Sequence, residues 1–230
     1  MPHNNQKPFL IFILAFSLAF LLFMSCATGP TVPSQPQIDP YAVYKESRPR
    51  SILIMPPINR SPEILAQPAF LAASTIPLSE SGYYVIPVTL SQEMFRQNGV
   101  YVAEEAQLLN IGRLYEIFGA DAALYMTITR YGVRYVLLDS IVEAEASAKL
   151  IDLRTGASLW SGFTRASRNS QSSSSGDLLT TLIGAALEQI VNTLSDNAYT
   201  VGREAARKLL TAGKKDGILY GPYHYKFEKD

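Results

Sequence analysis

The chain has 230 residues, with 20 Lys and Arg against 20 Asp and Glu, two histidines and one cysteine. A formal charge of zero gives no electrostatic footprint for nucleic acid, and a lone cysteine excludes a disulfide within the chain or a thiolate metal cluster. The length suits one domain of ordinary size, held together by its core.

The amino end is the most informative stretch. Lys7, an apolar run from Phe9 to Met24, and then Ser25-Cys26-Ala27 have the layout of a secretory signal ending in a lipid-attachment site. The run is shorter than the roughly 20 residues that span hydrocarbon as a helix, so a retained transmembrane anchor and an ordinary soluble segment are the weaker readings. Ser25 fits the small-residue preference before the cysteine, whereas Phe23 and Met24 fit it less well. Acyl chains on Cys26 contribute roughly 0.8 kcal/mol per buried CH₂, so two or three of them anchor a protein stably in membrane lipid. Ala27, where an aspartate would resemble an inner-membrane retention signal, points to the outer membrane. Removing residues 1–25 leaves 19 basic against 20 acidic residues and, with Cys26 acylated, no thiol. Residues 26–49 form the lipidated tether, in which Pro30, Pro33, Pro36 and Pro40 favour an extended chain.

The folded region is expected over 50–212. Ser51 to Met55, stopped by Pro56-Pro57, reads as a buried strand. A loop covers Ile58 to Ala66, and a helix spans Gln67 to Ser81, bent at Pro77 and stopped by Gly82. Tyr83 to Val88 is the second strand, after which Thr89 or Ser91 caps a helix through Gln97. One further helix is expected over Gln107 to Phe118, closed by Gly119. Asp121 to Arg134 and Asp139 to Leu153 are the next two strands. In the second, Ile141, Glu143, Glu145, Ser147 and Lys149 alternate with Val142, Ala144, Ala146 and Ala148, a wet face against a buried one. Asp152 to Gly156 is a tight turn into a fifth strand at Ala157 to Gly162, and Arg168 to Gly176 is a polar loop. Leu178 to Leu194 carries an apolar stripe at helical spacing, and a second helix follows from Asp196 to Leu210. Residues 213–230 form an aromatic and basic tail that either lies along the domain or stays loose.

The order β-α-β-α-β-β-β-α implies an α+β fold, a mixed sheet with a carboxy-terminal antiparallel meander and helices packed on it. The segments Ile54 to Asn59, Gly82 to Val88, Ile117 to Tyr125, Asp152 to Gly156 with Leu159 to Gly162, and Gly221 to His224 resemble a group of Gram-negative outer-membrane lipoproteins of unknown function. The resemblance covers most of residues 50–224. It implies a fold like the amino-terminal domain of TolB, shared with the curli-secretion channel protein CsgG and the penicillin-binding-protein activator LpoB. It also implies an envelope assembly, because genes of that group often neighbour one for a CsgG-like lipoprotein. It supplies no catalytic residue.

The inventory of chemistry is thin. His3 leaves with the signal and His224 lies six residues from the end, so no histidine cluster for a metal and no Ser-His-Asp arrangement is read. Isolated glycines at turns make no phosphate loop, and no cofactor is expected. Glu143 and Glu145 share a side of one strand and are read as a solvated face; an acid/base pair for an envelope hydrolase is the alternative. Asp121, at a helix-to-strand junction, is expected to satisfy loose backbone amides. Tyr131, Tyr135 and Trp160 are the candidate partner surface, with cross-strand packing as the competing reading. The expected protein is a non-enzymatic, periplasm-facing lipoprotein that binds an envelope protein. A self-assembling component, packing through the helix at Leu178 to Leu194, is a further possibility.

Overall fold

The computed structural model describes residues 39–136, 139–169 and 186–229, and residues 40–230 form one unit with its own core. The elements in chain order are α1 (Ala42–Ser47), β1 (Ser51–Ile54), β2 (Ile58–Asn59), α2 (Ala66–Glu80), β3 (Tyr84–Val85), α3 (Val88–Gln97), α4 (Ala103–Gln107), α5 (Ile111–Phe118), β4 (Ala122–Val136), β5 (Asp139–Asp152), β6 (Ser158–Asn169) and α6 (Ala186–Leu210). The sheet runs β3-β1-β4-β5-β6. Its first three strands are parallel, β2 adds a short parallel pairing to β4, and β4, β5 and β6 form the antiparallel meander. The α+β class, the mixed sheet and the meander are those expected.

Strand β1 is buried on both faces, which explains its continuous apolar run. Ile52 and Ile54 join Phe70, Leu78, Leu124, Met126 and Leu209 in the larger core cluster, between the sheet and α2 and α6. Leu53 and Met55 point the other way and meet Phe95, Ala106 and Leu114 from α3, α4 and α5. On β5 only one face is apolar, with Val142, Ala144, Ala146, Ala148 and Leu150 all in the larger cluster.

Several local expectations are corrected. The single helix over Gln107 to Phe118 is instead α4 and α5, broken where Asn110 turns its side-chain oxygen onto the amides of Gly112 (2.9 Å) and Arg113 (3.3 Å). That local cap outweighs the apolar periodicity running across it. Neither Thr89 nor Ser91 caps α3; Pro87 stands at its N-cap, and buried Ser91 bonds the Val88 carbonyl. The two helices expected to meet near Asp196 are one, since α6 continues to Leu210 through a sequence with no proline to stop it. Ile58–Asn59 is a short strand rather than loop, and β6 extends to Asn169, beyond the expected end at Gly162. The part of the apolar stripe at 178–185 and the polar loop beyond 169 lie outside the described residues.

Helix α1 falls inside the stretch expected as tether, and the tail is tied to the same region. Tyr41 donates to the Gly217 carbonyl at 2.8 Å, Tyr83 to Leu219 at 2.7 Å, and Trp160 Nε1 to Asp216 at 3.0 Å. The amides of Gly221 and Tyr223 donate to Ser81 and Gly82. Gly82 has φ +89°, and a Cβ on it would sit 2.5 Å from His224. Only glycine meets both the backbone sign and the close approach.

Candidate functional site

A β-bulge between Ile128 and Arg130 of β4 shapes the open side of the meander. Before it, Leu124, Met126 and Ile128 face the larger core; after it, Tyr131 and Val133 do, so the phase slips by one. The slip turns Arg130, Gly132 and Arg134 to the opposite side, where register places Gly132 opposite Glu143 and Arg130 opposite Glu145. From β6, Arg165 pairs with Glu145 and Phe163 with Ser147.

The result is a cluster of three guanidiniums on one carboxylate. Glu143 meets Arg134 Nε at 3.1 Å, Arg165 at 3.5 Å and Arg130 at 3.6 Å. Glu145 accepts a 2.8 Å bond from the Thr129 hydroxyl and faces Arg165 Nε at 3.8 Å. Glu143 is only 6% exposed, so its expected place on a solvated face is corrected: the arginines cover it. Both of its oxygens lie against guanidinium nitrogens, an arrangement that holds a charge in place rather than offering it to a substrate. The arginine heads themselves are about half exposed, and Phe163 beside them is 64% exposed. Charged forks around an open aromatic ring have the composition of a binding surface.

Of the residues singled out from sequence, Tyr131 and Trp160 are buried, on the opposite side of the sheet from this cluster. Tyr131 packs its ring against Gly202 of α6, where a Cβ would come within 2.5 Å. Burial, and then nearby Glu63 and Tyr199, push its phenol up to about 12. Trp160 lies against Gly162 and Leu209 and anchors the tail through its indole N–H. These two serve packing, so the aromatic surface expected from them is corrected. The side chain of Tyr135, and Cys26, lie outside the described residues. Phe163, the aromatic that does face outward, was hidden in sequence because the strand was expected to end before it.

Asp121 does what its position suggested, accepting from the amides of Arg50 (2.8 Å) and Ser51 (3.2 Å). Asp152 organises the neighbouring turn: its carboxylate takes the amides of Arg154 and Thr155, the Arg154 guanidinium and the Ser47 hydroxyl. Burial alone raises its pKa, but these bonds outweigh burial and bring it down to about 2. His224 stacks on Tyr220 at 4.2 Å and accepts the Lys226 amide on Nδ1, a role within the tail. Among the described residues no group of three or more His, Cys, Asp or Glu is placed to hold a metal, and no helix is long and apolar enough to cross a membrane.

Sheet, helices and tail together define an α+β domain with a mixed sheet. The chain belongs to the GNA1162-like family, described as "Putative lipoprotein GNA1162-like", whose profile matches residues 39–223. The "Putative lipoprotein NMB1124/NMB1162" of Neisseria meningitidis serogroup B is 42% identical over 209 residues, 91% of this chain and 95% of its own length. The crystal structure of lipoprotein GNA1162 from Neisseria meningitidis is 40% identical with a TM-score of 0.52, covering 64% of this chain and 99% of that one. The LpoB C-terminal domain from Salmonella enterica is 17% identical with a TM-score of 0.38, over 50% of this chain and 81% of that one. The family resemblance read from the sequence is thereby established, and these names state a lipoprotein with no activity attached.

Proposed function

We propose that the protein is a non-enzymatic binding component of an envelope complex, anchored in the outer membrane through acylated Cys26 and facing the periplasm. The observation that carries this reading is the open side of the meander. Three half-exposed arginines are held in fixed positions by Glu143 beside an outward Phe163. A rigid arginine cluster with an aromatic anchor concentrates binding energy at small entropic cost. Arg130, Arg134, Arg165 and Lys149 outnumber Glu143 and Glu145 on this side, so the complementary partner is a protein face with carboxylates around an apolar pocket. A CsgG-like lipoprotein is the candidate the family resemblance favours. The hydrolase alternative loses ground because Glu143 is enclosed by its arginines rather than poised over a cleft.

The anchor is tested by the intact mass of protein extracted from separated inner and outer membranes, beside a Cys26→Ala variant. The expected species starts at an acylated Cys26 in the outer-membrane fraction. An unprocessed chain in the inner membrane would overturn the anchor and compartment together.

A further inference from the structure

A cleft of about 390 Å³ lies between the α4–α5 junction and the open side of the meander. Its wall begins at Gln107, which donates to the carbonyls of Pro56 (2.8 Å) and Met126 (2.9 Å) and ties the junction to the sheet. Leu109 and Ile111 continue the wall, packed against the core that Leu53 and Met55 form with the helices. The turn after β5 backs it closely, since a Cβ on Gly156 would stand 2.8 Å from Ile111 Cδ1.

The floor is the outward side of β4 and β5, where register sets Tyr125 opposite Lys149 and Thr127 opposite Ser147. Among the described residues, neither the Lys149 ammonium nor these three hydroxyls are taken up by a hydrogen bond or an ion pair. On β6 it is Ser161 that stands opposite Lys149, so no carboxylate faces this ammonium from either neighbouring strand. Glu145, further along the same side of β5, is already held by Thr129 and Arg165. Burial pushes the Tyr125 phenol above its ordinary value, which keeps it a neutral donor. Ile151, two residues and about 7 Å along the strand from Lys149, adds aliphatic surface to the same cleft.

An unpaired cation, hydroxyl donors and aliphatic carbons in one cleft fit a ligand whose carboxylate and apolar group sit on the same carbon. The last residue of a peptide has that chemistry, whereas an internal Asp or Glu carries its carboxylate with no apolar branch. We propose that the cleft takes the carboxy-terminal residue of the envelope partner, with the terminal carboxylate on Lys149 and an apolar side chain against Leu109, Ile111 and Ile151. The hydroxyls of Tyr125, Thr127 and Ser147 supply further donors to the carboxylate. Gln107, with its Nε2 hydrogens spent on the sheet, offers Oε1 to the amide of the terminal residue. This inference rests on the reading of the meander face as a partner surface, and adds which part of the partner that face holds.

The test titrates the full membrane-extracted chain in detergent with two fluorescein-labelled pentapeptides, Ser-Gly-Ser-Ala-Leu and Ser-Gly-Ser-Ala-Phe, each as free acid and as carboxamide, read by fluorescence polarisation. At least one free acid should bind, roughly tenfold more tightly than its carboxamide, and Lys149→Gln should bring the acid down to the level of the amide. Lys149 is exposed, so this exchange leaves the core untouched. No binding by either acid, equal binding of acid and amide, or indifference to Lys149→Gln would overturn the proposal. So would hexanoate that displaces the labelled peptide more tightly than the unlabelled peptide does, which would make the ligand a free fatty acid. Capture of an envelope protein from Phe163 in cells without peptide binding would sink this inference and leave the reading of the face intact. Acid-selective, Lys149-dependent binding without such capture would keep the cleft and drop that reading.

Discussion

Replacing Asp152 with Asn keeps the shape of the side chain but removes the charge that Arg154 and Ser47 hold at the entry to the β5–β6 turn. The native carboxyl, almost fully buried, titrates at about 2 instead of 3.8. At about 1.4 kcal/mol per pH unit, this linkage is worth roughly 2 kcal/mol at pH 7. The sign follows from the depression: the stability is fully present above the unfolded-state pKa and is lost as pH falls through the folded-state value. Urea unfolding of the native chain and Asp152→Asn should differ by about 2 kcal/mol at pH 7 and by about half of that at pH 3. The variant should also loosen α1, because Ser47 loses its charged acceptor. A difference that stays constant between pH 7 and pH 3 would show that the charge at Asp152 does not act in this way.

Removing all three arginines (Arg130→Ala, Arg134→Ala, Arg165→Ala) opens Glu143 to water and removes three half-exposed ion pairs, and should cost on the order of 1–2 kcal/mol in urea unfolding, with little further change on adding Glu143→Ala. Gly82→Ala must adopt a left-handed backbone and push its Cβ into His224; we expect roughly 1–3 kcal/mol of strain and a tail released to trypsin at Lys214 and Lys215. Phe163→Ala, on an open surface, should leave thermal unfolding within about 0.5 kcal/mol of native while weakening capture of the envelope partner.

The strands and the larger helices were legible because their apolar residues repeat at the period of the element that buries them. Ser51 to Ile54 and the alternation along Val142, Ala144, Ala146 and Ala148 left little room for another reading. The site was less legible, because it depends on the bulge at Ile128/Arg130, which no local sequence signal marks. Without that slip, Tyr131 would have faced outward and joined the expected surface. With it, Tyr131 goes to the core, and Arg130 and Arg134 come round to Glu143. The course of the tail is not legible in the sequence because its anchors are long-range: Trp160 to Asp216, Tyr83 to Leu219 and Gly82 to Tyr223. The cap at Asn110 is a local signal of the ordinary kind, masked by the apolar stripe at Leu108, Ile111, Leu114 and Tyr115 that runs across it.

The central claim, that the open meander face binds an envelope protein, is tested most directly by in-cell photo-crosslinking. The crosslinker goes at Phe163 in one strain and at Arg96, an exposed residue of α3, in a control. The account requires a discrete crosslinked envelope protein from Phe163 that is absent from Arg96 and lost when Arg130, Arg134 and Arg165 are changed to Glu. The same pattern from both positions, or none from Phe163, would contradict it.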